Sequence, residues 1–211
     1  MSREGRKELL FKAAFKLFVT KQFDGVSISD IEKETGLTRG AVFYYADTKR
    51  DLYEMVMRHY MVESQDVRRK VQPPVQCTLL EYIDHYIDGV KKTMDAIVSI
   101  IDASERDRAS RAYLTTLMQV SGMFPEYKKE SNKNVQRDIT RWKNVIRLAI
   151  EKGEVKDDID VSAVARQFVC LFYGSSFADS FSRGLDIKLL HKQMLLLYNF
   201  IKRGEKTSQF R

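Results

Sequence analysis

The sequence predicts an all-α protein of about nine helices, and three observations support this fold class. Apolar residues recur mostly at three- and four-residue spacing, the period of a helix with one buried face. The 211 residues contain only three prolines and ten glycines, so few positions interrupt a helix. Hydroxyl and acidic residues stand at several helix starts, where their side chains can accept hydrogen bonds from unpaired first-turn amides.

The overall charge is basic, with 36 Lys and Arg against 29 Asp and Glu, a net charge of +7. This balance is compatible with nucleic acid or an anionic membrane as partner and does not choose between them. Cys77 and Cys170 are far apart and have no metal-ligand spacing, so we expect a reducing, cytoplasmic setting without metal or cofactor. We also expect neither a signal peptide nor a membrane span, because no long apolar run occurs.

An enzymatic function is not expected from the sequence. It shows no nucleophile–base pair, no phosphate-binding loop and no cluster of metal ligands, and His59, His85 and His191 are isolated. Folding can bring distant groups together, so an enzyme stays a minor alternative. A membrane-surface protein is another, because the first helix, predicted from residue 3 to about residue 21, is basic and amphipathic.

Residues 27–53 contain three helix starts in close succession. Ser27 precedes Asp30 and Thr48 precedes Asp51 by three positions, the spacing of a cap with an acidic partner, whereas Thr38 is a plain cap. Gly36 permits a sharp turn between the first two of these helices. The segment therefore predicts a short helix over about 28–35, a tight turn and a second short helix over about 39–45, the outline of a helix-turn-helix unit.

The second short helix is expected to expose an unusual set of side chains. Ile31, Leu37 and Val42 have the spacing to form a small core, which leaves the other residues outside it or at its edge: Arg39, Gly40, Phe43, Tyr44 and Tyr45. Arginine can bind guanine edges, and tyrosine hydroxyls commonly bind phosphates. Lys49, in the first turn of the next helix, suits a phosphate as well. The alternative is three ordinary short helices with aromatic core residues.

The chain divides into three parts. Residues 1–47 form the predicted DNA-binding unit, 48–77 a fourth helix and a linker marked by Pro73 and Pro74, and 78–211 a larger helical domain. The fourth helix is expected to run unbroken from residue 48 to about 69 and to bury Leu52, Met55, Val56 and His59.

The last two helices, predicted over 161–183 and 187–203, carry more apolar residues than one buried face requires. Two such helices from each of two chains would form a four-helix contact in a homodimer. The alternative is a well-buried hairpin inside a single chain.

The segment 10–53 resembles the N-terminal domain of TetR-family transcriptional regulators. The matching positions are Leu10, Ala14, Leu17, Phe18, Phe23, Ser27, Ile31, Gly36, Leu37, Thr38, Gly40, Phe43, Tyr44, Lys49 and Leu52. The chain departs from the family's usual pattern at the end of the first helix, where Gln22 stands in place of a common glycine, and at Glu32 and Ala46.

The resemblance implies a homodimer that binds double-stranded DNA at a palindromic operator and releases it when a small-molecule effector binds the C-terminal domain. Repression is the commoner outcome among relatives. The matched positions imply DNA contacts by Thr38, Arg39, Gly40, Phe43, Tyr44 and Lys49, with Ser27 and Tyr45 on phosphates. The alternative is a helical interaction or adaptor protein that keeps the fold and has lost DNA binding or ligand gating.

Relatives bind their effector among helices five to eight. The aromatic and methionine residues of that region could line a cavity for an apolar or aromatic effector, although at helical spacing each is more often a core residue. The candidates are Tyr82, Tyr86, Met94, Tyr113, Met118, Phe124, Tyr127, Trp142, Phe168 and Phe172.

Overall fold

The computed structural model describes residues 2–63, 66–71, 76–101, 106–182 and 184–204, apart from the side chains of residues 69 and 106–110. Within these ranges the fold is all-α, as predicted, and β-type backbone pairing is limited to one isolated bridge between Val155 and Lys202. No helix within them is long and apolar enough to cross a membrane. The helices are α1 (Arg3–Lys21), α2 (Ile28–Thr35), α3 (Arg39–Phe43), α4 (Lys49–Met57), α5 (Val67–Lys70), α6 (Leu79–Ile101), α7 (Arg106–Met123), α8 (Pro125–Glu151), α9 (Val161–Asp179) and α10 (Ile187–Ile201).

The first hydrophobic cluster joins the N-terminal helices to the rest of the chain. It combines buried residues of α1–α4 with Ile97 and Ile101 of α6 and with the corner between α7 and α8. Tyr53 of α4 lies fully buried at its centre. The Tyr53 ring packs edge-on against Phe18 of α1 at 4.8 Å and lies 6.0 Å from Phe124 of that corner. The two parts of the molecule therefore share one core.

The second hydrophobic cluster is built from α5, α6, α8, α9 and α10 around Trp142. The Trp142 ring stacks on Phe168 of α9 with centroids 4.3 Å apart and planes 3° apart, and it meets Tyr82 of α6 edge-on at 4.7 Å. Since α6 contributes to both clusters, it connects the buried interior of the C-terminal domain to that of the N-terminal helices.

The fourth helix differs from the prediction. It continues beyond Met57 as a π-helical turn, Arg58–Val62, and α5 is a separate short helix. Leu52 and Val56 are buried as expected, but Met55 and His59 are exposed, and Tyr53 and Met57 are buried instead. The prediction was wrong there because α4 packs against both α1 and the corner between α7 and α8. Its buried side is therefore turned toward Tyr53 and Met57.

The break between α7 and α8 is tight. Helix α7 runs through Gly122 to Met123, and α8 begins at Pro125. Proline fits the first turn of a helix, where its missing amide hydrogen is not needed. The predicted linker at Pro73 and Pro74 and the tail from residue 205 lie outside the described residues.

The end of α1 carries a strained backbone. Gln22, its C-terminal cap, has φ 61° and ψ 170°, and it is the one non-glycine residue with positive φ in the described ranges. This combination is almost restricted to glycine and costs about 1–3 kcal/mol for other residues. It is the position where the sequence departs from the family's common glycine.

We expect Gln22→Gly to raise the free energy of unfolding by about 1–2 kcal/mol, because glycine adopts this conformation without strain and the gain is reduced by the entropy of its unfolded state. Chemical denaturation of both proteins measures the difference. A matched change at the exposed Lys33→Gly, inside α2, should instead destabilise by about 1 kcal/mol. If Gln22→Gly destabilised the protein, the inference that the Gln22 backbone is strained would be wrong.

Candidate nucleic-acid interface and effector cavity

The first helix of the helix-turn-helix unit begins with a complete capping box. The Ser27 hydroxyl accepts a hydrogen bond from the Asp30 amide at 3.1 Å, and the Asp30 carboxylate accepts bonds from the Ser27 hydroxyl and amide at 2.6 and 2.8 Å. These two bonds, the side-chain bond first, lower the pKa of Asp30 to about 2. The carboxylate is therefore ionised at the positive end of α2, where a negative charge is favourable.

The turn between α2 and α3 has the predicted geometry. Gly36 adopts a left-handed conformation, with φ 68°, and its amide donates to the Glu32 carbonyl at 2.8 Å. The Thr38 hydroxyl then accepts a hydrogen bond from the Ala41 amide at 3.3 Å and starts α3. Ile31 and Val42 are buried, and Leu37 packs against them. The predicted helix-turn-helix unit is confirmed.

The opposite side of α3 faces solvent. Arg39 and Gly40 are exposed, and the Tyr44 side chain at the helix end is 64% exposed. The Arg39 guanidinium lies 5.4 Å from the centroid of the half-buried Phe43 ring. A Cβ added to Gly40 would meet no atom within 4 Å, so packing inside the chain does not require glycine at this position.

The start of α1 is attached to the end of α3. The Tyr45 hydroxyl donates to the Arg3 carbonyl at 3.1 Å, and the Arg3 guanidinium lies 5.4 Å from the Tyr44 ring centroid. Arg3 thus adds a second guanidinium beside the α3 surface. No local sequence pattern marks this contact, because 42 residues separate Arg3 from Tyr45.

Lys49 begins α4, as expected, and its ammonium bonds inside the protein. Its ammonium donates to the carbonyls of Phe23 and Val26 at 3.0 and 2.9 Å and lies 4.2 Å from the Phe23 ring centroid. It therefore closes the connection between α1 and α2, and two of its three N–H donors are used inside the protein. Likewise, the hydroxyls of Ser27 and Tyr45 donate to the Asp30 carboxylate and to the Arg3 carbonyl, so these donors are used inside the protein.

Two contacts attach α4 to the corner between α7 and α8. The Arg50 guanidinium donates to the Met123 carbonyl at 3.1 Å and lies 4.9 Å from the Phe124 ring centroid. The Tyr53 hydroxyl donates to the Gln119 side-chain oxygen at 3.3 Å. The orientation of the helix-turn-helix unit is thereby tied to the position of α7.

A cavity of about 240 Å³ lies among α6, α7, α8 and α9. Three of the predicted effector-binding residues line it, namely Met94, Tyr113 and Phe172. Met118 does not, because it is 64% exposed on the surface. The remaining six are core residues away from its wall: Phe124 and Tyr127 in the first cluster, and Tyr82, Tyr86, Trp142 and Phe168 in the second.

Sequence reasoning missed other residues of the cavity wall. Met61 comes from the π-helical turn, Lys70 from the end of α5, and Leu114, Leu117 and Val135 from α7 and α8. Helical spacing could mark these residues as inward-facing, but it could not show that the helices leave a space there. Among the described residues no group of three or more His, Cys, Asp or Glu could hold a metal ion.

A sequence model of the bacterial regulatory proteins of the tetR family matches residues 10–56. No curated protein matches the chain. The chain is similar over nearly its whole length to solved structures of low identity. A TetR-family transcriptional regulator from Cytophaga hutchinsonii is 15% identical, with a TM-score of 0.67 over 97% of this chain and 99% of that chain.

Two further structures show the same extent of similarity. A TetR-family regulator from Agrobacterium tumefaciens is 15% identical, with a TM-score of 0.65 over 96% of this chain and 100% of that chain. A protein from Saccharomonospora viridis in complex with choline is 15% identical, with a TM-score of 0.65 over 96% of this chain and 100% of that chain. The N-terminal unit thus matches the family model of the tetR bacterial regulatory proteins, and the all-α fold is shared along the chain with solved structures of TetR-family regulators.

Proposed function

We propose that the chain is a homodimeric repressor, bound to a palindromic operator and released by a small apolar or aromatic effector. In this proposal residues 1–47 bind DNA, residues 48–77 connect, and residues 78–211 bind the effector and form the dimer. The observation that supports it most directly is the solvent-facing side of α3, where Arg39, Gly40 and Tyr44 are exposed together at one edge of the molecule.

The proposed DNA contacts follow from what each side chain has available. Arg39 can donate to guanine in the major groove, and Tyr44 and Thr38 can bind phosphate oxygens. Gly40 has open space around it and lets the backbone of α3 approach the DNA closely. Phe43 supports Arg39 from the side. Lys49 has one remaining N–H donor for a phosphate, whereas Ser27 and Tyr45 would each have to exchange an internal bond.

Effector gating is supported by residues that belong to the cavity wall and to the first hydrophobic cluster at once. Met61 and Ile97 are buried members of that cluster, Val98, Tyr113 and Leu117 pack against it, and all five line the cavity. A molecule in the cavity would therefore press on the same side chains that hold α1 and α4. Because packed interiors shift as units, α4 and the helix-turn-helix unit would move with them.

Dimerisation through α9 and α10 is supported by exposed aromatic and aliphatic side chains on these helices and just after α9. Phe177, Phe181, Leu196 and Phe200 are 56%, 72%, 56% and 68% exposed, and the Phe177 and Phe181 rings pack edge-on at 5.2 Å. An apolar surface of this kind marks an interaction site. In the homodimer these residues would be covered by the same helices of the second copy.

Arg39→Ala should relax the preference for one base pair per half-site and reduce specific affinity by about 1–3 kcal/mol, because one bidentate base contact is lost. Operator selection from random duplexes, followed by titration of the selected sites, measures both effects. Unchanged selectivity of the variant would show that Arg39 does not read a base. Failure of the wild-type chain to bind any duplex would favour the adaptor alternative.

Tyr44→Ala and Lys49→Met should separate a DNA contact from a structural one. Tyr44→Ala should weaken binding to all sequences without changing stability, because the side chain is exposed. Lys49→Met should lower the free energy of unfolding by about 1.5–3 kcal/mol, the usual value of hydrogen bonds to charged groups. Lys33→Met, at an exposed position on α2, is the control for loss of charge. If the Lys49 and Lys33 variants were equally stable, the Lys49 ammonium would have no role in stabilising the fold.

Phe177→Glu combined with Phe200→Glu should convert the dimer to a folded monomer, because four carboxylates would be buried at the proposed interface. Sedimentation equilibrium gives the mass, and circular dichroism checks the helical content. Met118→Glu, a substitution of a similarly exposed apolar residue on α7, should leave the dimer intact. A double variant that remains dimeric would place the interface elsewhere.

A further inference from the structure

Lys70 brings an ammonium group to the wall of the cavity. The position of Lys70 is fixed by close packing of α5 on α6, where a Cβ added to Gly89 would lie 2.2 Å from the Lys70 carbonyl oxygen. From there the side chain runs inward, and its ammonium lies 3.8 Å from the Phe172 ring centroid and 5.2 Å from the Tyr86 ring centroid. The cation is held against two aromatic faces and lines the cavity.

The Lys70 ammonium has no hydrogen-bonding or ion-pairing acceptor among the described residues, although Lys70 is half-buried and its ammonium packs against two rings. Burial lowers its pKa to about 8, and the charge of Asp138 opposes part of this effect. At neutral pH most of the lysine therefore remains protonated. Withdrawing an ammonium from water without giving it a hydrogen-bond acceptor costs free energy. An anion that supplies the acceptor therefore gains more binding free energy here than it would at the surface.

Asp138 supplies a compensating charge from behind the cavity wall. It is buried and accepts a hydrogen bond from the Tyr86 hydroxyl at 3.0 Å, and it is not a lining residue. Among the described lining side chains there is no carboxylate, and Lys70 is the one charged group. The charge carried by the described lining side chains is thus positive.

Three polar side chains of the remaining wall donate hydrogen bonds within the protein. The Thr93 hydroxyl donates to the Gly89 carbonyl at 2.9 Å, and the Ser176 hydroxyl donates to the Phe172 carbonyl at 2.7 Å. The Asn134 amide donates to the Val62 carbonyl at 2.9 Å. The rest of the wall is mainly apolar, with Val90, Met94 and Leu114 among its members. The cavity therefore combines an apolar volume with a cationic donor.

We infer that the cavity binds a small amphipathic monoanion whose carboxylate pairs with the Lys70 ammonium and whose apolar body fills the space among α6, α7 and α8. The volume is below the roughly 300–1,000 Å³ usual for drug-sized ligands, so the molecule is small. This inference rests on the proposed function for the identity of the cavity as the effector site. It adds the sign of the ligand's charge and the residue that selects it.

The test compares three probes with one tail and different heads: octanoate, 1-octanol and octyltrimethylammonium. Calorimetric titration of the full-length protein at pH 7 should show octanoate binding roughly 10-fold or more tightly than octanol, the usual gain from a charged hydrogen bond. Octyltrimethylammonium should bind most weakly, because Lys70 repels it. Octanoate binding no tighter than octanol, or a preference for the cationic probe, would overturn the inference.

Two variants attribute the preference to Lys70. Lys70→Met should keep octanol binding and reduce the octanoate-to-octanol affinity ratio to about 1, whereas Lys92→Met, at an exposed position on α6, should keep the wild-type ratio. Octanol binding by Lys70→Met shows that the variant is folded. If it does not fold, Val90→Phe, which fills the cavity and keeps the lysine, should abolish binding of octanoate. A preference that survives in Lys70→Met, or octanoate binding that survives in Val90→Phe, would exclude the site.

A separate measurement distinguishes this inference from the proposed function. DNA binding is followed by anisotropy with and without octanoate, on an operator obtained by selection. Octanoate that binds through Lys70 and leaves the DNA complex intact would support the charge selectivity and refute gating. DNA binding that is intact in a protein with no affinity for octanoate would refute the charge selectivity alone.

Discussion

The burial of Tyr53 is the interaction on which the arrangement of the molecule depends. One ring contacts Phe18 of α1, Phe23 of the following turn and Phe124 at the corner between α7 and α8. Its hydroxyl reaches Gln119 of α7, and burial raises its pKa. Aromatic side chains bury large areas and their pair geometry is specific. The Tyr53 side chain thereby contributes to fixing the N-terminal helices and α7 relative to each other, together with the contacts of Arg50.

This shared core would couple the proposed DNA-binding surface to the proposed effector site. A helix-turn-helix unit with a separate core could rotate freely on a linker, and a ligand elsewhere would have no effect on it. Here the wall of the cavity and the support of α1 and α4 include the same residues, among them Met61, Ile97 and Leu117. In the proposed function, a ligand that binds one arrangement of α7 more tightly would therefore also favour one orientation of the helix-turn-helix unit.

The α3 surface shows how internal bonding limits a binding surface. Capping and turn closure use the hydroxyl of Ser27 and most of the ammonium of Lys49, and attachment of α1 uses the hydroxyl of Tyr45. The side chains of Arg39 and Tyr44 make no hydrogen bond within the described chain. They are long and exposed, so they can extend to a partner. The residues that build the unit are thus largely distinct from those left to contact a partner.

The sequence by itself determined most of the helices, several caps and the helix-turn-helix unit, because these depend on periodicity and on residues three or four positions apart, such as Ser27 and Asp30. It did not determine the π-helical turn after α4 or the separate α5. Only the tertiary structure decided the partners of Lys49, the exposure of Met118 and the position of the cavity. Aromatic residues at helical spacing look alike whether they fill a core or border a space. Which of the two occurs depends on the distance between helices, and contacts between residues far apart in the chain set that distance.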